Sequence, residues 1–446
     1  MKTPIYDFVR SYASSSALRL HMPGHKGKSH LGFEHLDITE FTGADSLYHA
    51  DGIIKESEEN ATSLFDTAGT FYSTEGSSHC IRAMLHLAKL YGGDGCVLAG
   101  RNAHSSFISA LALNSIDVEW IYPEEKDCYL SALITPEILE KALGSVSKKP
   151  ICVYVTSPDY LGNMCDISGL AQVCEKHGTI LAVDNAHGAY LKFLERDLHP
   201  ISLGAHICCD SAHKTLPALT GGAYLHISKK APDFFVENAK NALSLFGSTS
   251  PSYLTLSSLD KLNEYLAQGY KECLGTFLKA LRALCESSEA VRVASVSSTA
   301  IREPMKIALE TAKIGYRGED FAKILEEQGV ICEFYDSDYV VLMPSPENSL
   351  EELNSLFSVL NKIPIKKPLD APSRALCRPA RKMSPHDAVF APRELISVDE
   401  ALGRTLAVSC VSCPPAVSLI VCGEEFDRST VDLCKKYGFD SFWVVK

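Results

Sequence analysis

Thr179-Ile180-Leu181-Ala182-Val183-Asp184-Asn185-Ala186-His187-Gly188 and His206-Ile207-Cys208-Cys209-Asp210-Ser211-Ala212-His213-Lys214-Thr215 follow one plan: an unbroken apolar run ends abruptly in polar and charged residues. Unbroken runs, unlike alternating ones, mark strands buried on both faces, as in a parallel sheet covered by helices. Gly95 to Ala99 and Ile151 to Val155 read the same way. Amphipathic stretches at Ser78 to Tyr91, Thr135 to Val146 and Leu170 to His177 predict the intervening helices. Strands alternating with helices predict an α/β architecture whose ligands gather at the carboxyl ends of the strands.

Outward from this core, the first fifty-odd residues are rich in Gly, His and Ser and read as an irregular N-terminal arm, taken as 1–60. A large domain is expected over 61–250. A long amphipathic helix from Tyr253 to Ser287 should lead into a small α/β domain, together 251–363. That domain should hold a strand at Met305 to Leu309, a helix at Gly318 to Gln328, strands at Val330 to Tyr335 and Tyr339 to Met343, and a helix at Leu350 to Leu360. A Pro-rich, basic linker from Lys362 to Pro392 and a C-terminal module fill 364–446.

Composition narrows the function. The chain has 446 residues, 46% of them apolar, enough for two or three domains with real cores. Lys plus Arg number 43 against 55 Asp plus Glu, a formal charge of −12 that disfavours nucleic acid as a partner. No stretch approaches the roughly 18 apolar residues of a membrane span, and Met1 to Asp7 carries no signal-like apolar segment, so a cytoplasmic protein is expected. Sixteen scattered cysteines fit apolar fillers in a reducing compartment.

The strand ends carry the chemistry. A lysine such as Lys214, among small and polar residues after a strand, can hold a carbonyl cofactor through its ε-amine. Asp184 can supply the anion that keeps a pyridine nitrogen protonated, which makes pyridoxal phosphate an electron sink. Ser73-Thr74-Glu75-Gly76-Ser77-Ser78 opens a helix, where backbone N–H groups, the hydroxyls of Ser77 and Ser78 and the close approach allowed by Gly76 suit a phosphate. His104, in Arg101-Asn102-Ala103-His104-Ser105, could stack on an aromatic ring. Each has a plainer counterpart: a surface lysine, a turn aspartate, a serine helix cap, a hydrogen-bonded histidine. Their convergence at strand ends favours one shared site. Gly27-Lys28-Ser29 is no P-loop, because Met22 stands where its first glycine belongs. Cys410-Val411-Ser412-Cys413 lacks a second cysteine pair, so no metal is expected. The cations from Lys366 to Lys382 read as a solvated linker.

At these residues the chain resembles the Orn/Lys/Arg decarboxylase family. His21-Met22-Pro23-Gly24-His25-Lys26-Gly27, Asp37 to Glu40 and Asp45-Ser46-Leu47 look like its N-terminal signature, and Thr156-Ser157-Pro158, Asp184 to Ala189 and Ser211 to Leu216 continue the likeness. Ser248 to Tyr253 with Ser258-Leu259-Asp260 is similar to the stretch that reaches a neighbouring subunit's cofactor. Pro392-Arg393-Glu394 and Glu400 to Arg404 resemble its C-terminal module. The resemblance implies the aspartate-aminotransferase-like fold of pyridoxal-phosphate enzymes and decarboxylation of lysine, arginine or ornithine in polyamine biosynthesis. It implies a homodimer, or a higher homo-oligomer, acting on a small basic amino acid. By the same likeness Lys214 holds the cofactor, Asp184 faces its ring nitrogen and His104 stacks on it. Gly76, Ser77, Ser78, Ser211, His213, Ser248 and Thr249 surround the phosphate, with Ala186 and His187 nearby. His213 or Lys214 could protonate Cα, and Glu333 or Asp45 could meet the substrate's distal cation. The chain departs from the family at Asn185, where Glu is usual, at Gly221, where Gln is common, and at Ala416, where glycine normally follows the prolines. An aminotransferase, another pyridoxal-phosphate lyase, and a cofactor-binding homologue without turnover are the competing readings.

Overall fold

The computed structural model describes residues 1–123, 128–146, 149–296, 301–370, 377–409 and 416–446. The Cys410/Cys413 pair and the prolines at 414 and 415 lie outside them. The chain begins with α1 (Pro4–Ala13), α2 (Ile53–Phe65), β1 (Gly69–Ser73) and α3 (Gly76–Gly92). There follow β2 (Cys96–Gly100), α4 (Ser105–Asn114), β3 (Asp117–Ile121), α5 (Pro136–Ser145), β4 (Cys152–Thr156), β5 (Asn163–Met164) and α6 (Ile167–His177). Next are β6 (Leu181–Asp184), β7 (Ile207–Asp210), α7 (Ala212–Thr215), β8 (Ala223–Ile227), α8 (Asp233–Ser244), α9 (Tyr253–Ala267) and α10 (Tyr270–Ser287).

Seven of these strands form one sheet in the order β1-β8-β7-β6-β4-β2-β3, so the mostly parallel α/β sheet expected from the apolar runs is present. The pairs β6–β7 and β2–β3 are parallel. At the other edge β8 runs antiparallel to both β7 and β1, an arrangement the run-helix-run pattern did not announce.

The chain divides into two compact units, one of Met1–Gly93, Ile151–Val153 and Cys174–Glu272, the other of Asp94–Pro150, Tyr154–Val173 and Cys273–Lys446. In the first, the arm expected to be irregular contributes α1, an amphipathic helix that buries Ile5 and Val9. The backbone N–H of Tyr6 donates to Asp260 on α9, and Ser57 of α2 donates to the same carboxylate at 2.6 Å. The predicted long helix from Tyr253 is two helices: Gly269, at φ +89°, adopts the left-handed geometry that ends α9 and starts a new axis for α10. The 3.6-residue period runs on across this break, which is why periodicity alone missed it.

The second unit continues with α11 (Glu289–Ala294), β9 (Ile301–Arg302), β10 (Ile307–Glu310), α12 (Gly318–Glu327), β11 (Phe334–Tyr335), β12 (Tyr339–Leu342) and α13 (Leu350–Lys362). β10, β12 and β11 form a small antiparallel sheet. The strand expected from Val330 shrinks to Phe334–Tyr335, while α13 starts at a capping box in which Ser349 and Glu352 satisfy each other's backbone N–H groups. Inside the expected linker lies α14 (Pro385–Phe390); after it, β13 (Arg393–Ser397) and β14 (Ser441–Val445) pair antiparallel, with α15 (Arg428–Lys436) between them. Buried residues of this C-terminal stretch, among them Leu406, Ile420, Phe426 and Phe442, share one core with Val341 and Phe334 of the small sheet. The C-terminal module is therefore built into this unit. No helix among the described residues is long and apolar enough to cross a membrane.

Candidate active site

Most of the sequence-predicted residues meet in the first unit, at the carboxyl ends of β6 and β7. The register sets Asp184 beside Cys209, so the two strands deliver Asp184 and Ser211 to the same edge. Asp184 is 2% exposed, and its Oδ1 accepts the N–H of Ala186 at 3.1 Å. A buried carboxylate fixed at a strand end is the anion that a protonated ring nitrogen requires.

From Ser211 the chain turns into the single helical turn α7, which carries His213 and Lys214. Lys214 Nζ lies 3.2 Å from Nε2 of His187. An ammonium has three donors and no acceptor, so the charged lysine donates to that nitrogen. The Nδ1–H of His213 donates to the Gly222 carbonyl at 3.0 Å. Burial pushes the His213 pKa down and the nearby Lys214 charge adds to this, against the opposing Gly222 bond, so the ring is kept neutral.

The phosphate cradle expected around Ser77 has the donors it needs. The first turn of α3 presents N–H groups that have no partner carbonyl within the helix, and the preceding Glu75 side chain does not cap them. Ser211 Oγ donates to Ser77 Oγ at 2.7 Å, tying the lysine segment to this turn, and Ser78 is half-buried beside it. Gly76 has φ +74°, and a Cβ there would come within 3.8 Å of His213, which places that ring against the cradle. Gly76 N–H donates to the Gly221 carbonyl at 2.8 Å. Gly221 itself stands at φ +93° with room for no side chain, since a Cβ would sit 2.4 Å from the Thr74 carbonyl. That approach explains one departure from the family: glutamine could not occupy this backbone. Ser248 and Thr249 are exposed, and the Ser248 N–H donates to Glu75 Oε1 at 2.6 Å.

Sequence reading missed the group beneath these strands. Asp210, the last residue of β7, is fully buried with His199 Nε2 at 3.0 Å and His226 Nε2 at 3.2 Å from Oδ2, while Asn185 Nδ2 donates to Oδ1 at 2.6 Å. Burial pushes the Asp210 carboxyl up, but His199 and His226 together outweigh it and hold the group well below the usual carboxylate range. Burial pushes His226 down in turn, against the pull of Asp210. This accounts for the departure at Asn185: a glutamate there would set a second carboxylate against Asp210, whereas the amide offers a donor. The signal that marked Asp184, a carboxylate closing an apolar run, was also present at Asp210. His199, Cys208 and Asp210 place potential metal-ligand atoms within 4.8 Å of one another, but His199 and Asp210 already spend theirs on a mutual hydrogen bond.

Asp45 is not available to a substrate cation. Its carboxylate accepts the N–H groups of Ser46, Asp51, Gly52 and Ile54 and so caps the start of α2. Burial raises its pKa, and those N–H groups more than reverse the effect. Two further residues belong to the second unit. Glu333 is exposed and accepts the Tyr160 hydroxyl at 3.0 Å. His104 follows β2 as the N-cap of α4, its Nδ1 accepting the N–H of Ser106 at 3.1 Å. In the neutral imidazole the proton therefore sits on Nε2.

The chain is similar to several known proteins. Residues 3–306 match the family described as Orn/Lys/Arg decarboxylase, major domain. An uncharacterized protein of Bacillus subtilis (strain 168) is 27% identical, over 97% of this chain and 93% of that one. The arginine decarboxylase of Halalkalibacterium halodurans is 26% identical, over 96% and 92%. Among solved structures, the lysine decarboxylase of Francisella novicida superposes with a TM-score of 0.79 at 17% identity, covering 100% of this chain and 81% of that one. The constitutive lysine decarboxylase of E. coli gives 0.77 at 18%, covering 100% and 82%.

Proposed function

Because this chain belongs to the Orn/Lys/Arg decarboxylase family, we propose that it removes the α-carboxylate of lysine, arginine or ornithine as CO₂, with pyridoxal phosphate held by Lys214. The observation that carries the reading is the shared strand edge. One register brings the buried Asp184, the Ser211–Ser77 hydroxyl pair and the lysine-bearing turn α7 together. Bound there, the cofactor supplies a protonated ring into which the electron pair of a breaking Cα–carboxylate bond can flow.

The residues of the chain divide the remaining work. Asp184 supplies the fixed negative charge that keeps the ring nitrogen protonated. The first turn of α3 with Ser77, Ser78 and Ser211 receives the phosphate, and His213, neutral and packed on Gly76, faces it. His187 stands where it can take a proton from Nζ of Lys214, freeing the amine to act as a nucleophile. His213 and Lys214 are the two groups placed to return a proton to Cα. By the family likeness His104 would stack on the ring, and the exposed Ser248 and Thr249 would complete the site of a second copy of the chain in a homodimer.

The test is an assay of the purified, cofactor-loaded protein with L-lysine, L-arginine and L-ornithine, following CO₂ and amine. One of the three should release both in equal amounts. Formation of a keto acid without CO₂ would point to an aminotransferase instead, and inertness towards all three would reject turnover of basic amino acids.

A further inference from the structure

We propose that the C-terminal segment Ala416–Glu424 is a latch that sets the position of His104, with Arg101 and Glu424 as its positioning residues. The inference rests on the reading of His104 as the residue that stacks on the cofactor, and it gives the C-terminal module a role at that site.

The loop between β2 and α4 is gripped at two points by this segment, all within the second unit. Arg101 and Glu424 are each 2% exposed, and the guanidinium lies 3.1 Å from Glu424 Oε2. Its two terminal nitrogens also donate to the carbonyls of Ser418 and Leu419, each at 3.0 Å, and its plane lies over the ring of Trp120, 5.1 Å from the centroid. Glu424 Oε2 accepts the N–H of Val421 at 2.7 Å, which closes the segment on itself. The second grip is backbone to backbone. Ser105 N–H donates to the Ala416 carbonyl at 2.7 Å, and His104 bridges to Val417.

His104 is thus held from both sides, its backbone by the C-terminal segment and its ring by Ser106 at the start of α4. Ala416 reaches its carbonyl to Ser105 from φ +54°, a conformation that disfavours every residue with a Cβ. A buried ion pair adds little net stability over apolar packing of the same volume, so a fully buried Arg–Glu pair bound to two carbonyls is better explained by the geometry it fixes.

The test is a double-mutant cycle on cofactor affinity. Wild type, Glu424→Gln, His104→Ala and the double variant are stripped of cofactor, then titrated with pyridoxal phosphate while the cofactor's induced circular dichroism is followed. Glu424→Gln should weaken binding and diminish the induced signal, by about three- to tenfold in affinity, and the double variant should bind no more weakly than His104→Ala alone. Should Glu424→Gln fail to fold, Arg101→Met with Glu424→Leu removes the grip while keeping apolar volume, and enters the same cycle. Unchanged affinity in the latch variant, or losses that multiply with those of His104→Ala, would overturn the latch. A wild-type protein that binds no pyridoxal phosphate would overturn the functional reading beneath it, which is a distinct result.

Discussion

Among the carboxylates that each unit buries, Asp210 in the first and Glu424 in the second are shifted in opposite directions. Burial pushes both up. Around Asp210, the imidazoles of His199 and His226 reverse that effect and hold the group low. Around Glu424, Arg101 and the Val421 N–H oppose burial without overcoming it, and the carboxyl stays above its ordinary value. The guanidinium also divides its hydrogen bonds among Ser418, Leu419 and Glu424. The first arrangement keeps a charge in place under the site; the second ties down a loop.

The comparison breaks most readily at Asp210. Asp210→Ala leaves His199, His226 and Asn185 without their shared acceptor, and should cost about 3–5 kcal/mol in denaturant unfolding at neutral pH. A native pKa below the unfolded value of about 4 means that this contribution is complete above pH 4 and fades as pH falls towards the native value, so the penalty should shrink in acid. Glu424→Gln should follow the other sign. A raised native pKa makes wild-type stability fall as pH rises above the unfolded value of about 4.3, so the gap between wild type and variant should narrow towards neutral pH. Parallel pH dependences in the two variants would remove the contrast.

A smaller effect sharpens the account of the second unit. Ala416→Gly relieves a left-handed alanine at the cost of a more flexible unfolded chain, and should raise stability by about 0.5 kcal/mol, read as a small increase in melting temperature. A decrease would mean that the Ala416 methyl group contributes packing that offsets its strain.

The same contrast separates what the sequence made legible from what it hid. β6 and β7 were legible because an unbroken apolar run ending in a charge is a local pattern, and Asp184 and Lys214 stand at such ends. β8 is equally apolar, but that it runs antiparallel to β7 and to β1, which lies more than a hundred residues upstream, is a matter of pairing that no local run of residues announces. Asp210 closed a run as Asp184 did, yet its meaning depends on His199 and His226, which belong to no motif. Arg101 and Glu424 are separated by 323 positions, and nothing local to either residue announces the other. The departures at Asn185, Gly221 and Ala416 were visible as letters. For Asn185 and Gly221 the causes, an acceptor to satisfy and a carbonyl 2.4 Å from the missing Cβ, belong to the fold; the positive φ at Ala416 favours the family's glycine, and nothing in the structure explains the alanine.

The central claim is that the ε-amine of Lys214 carries the cofactor. Borohydride reduction of the cofactor-loaded protein, followed by digestion and mass spectrometry of the peptides, tests it directly. The account predicts a pyridoxyl label on the peptide spanning Ser211 to Thr215, at Lys214; a label on any other lysine, or none, would contradict it.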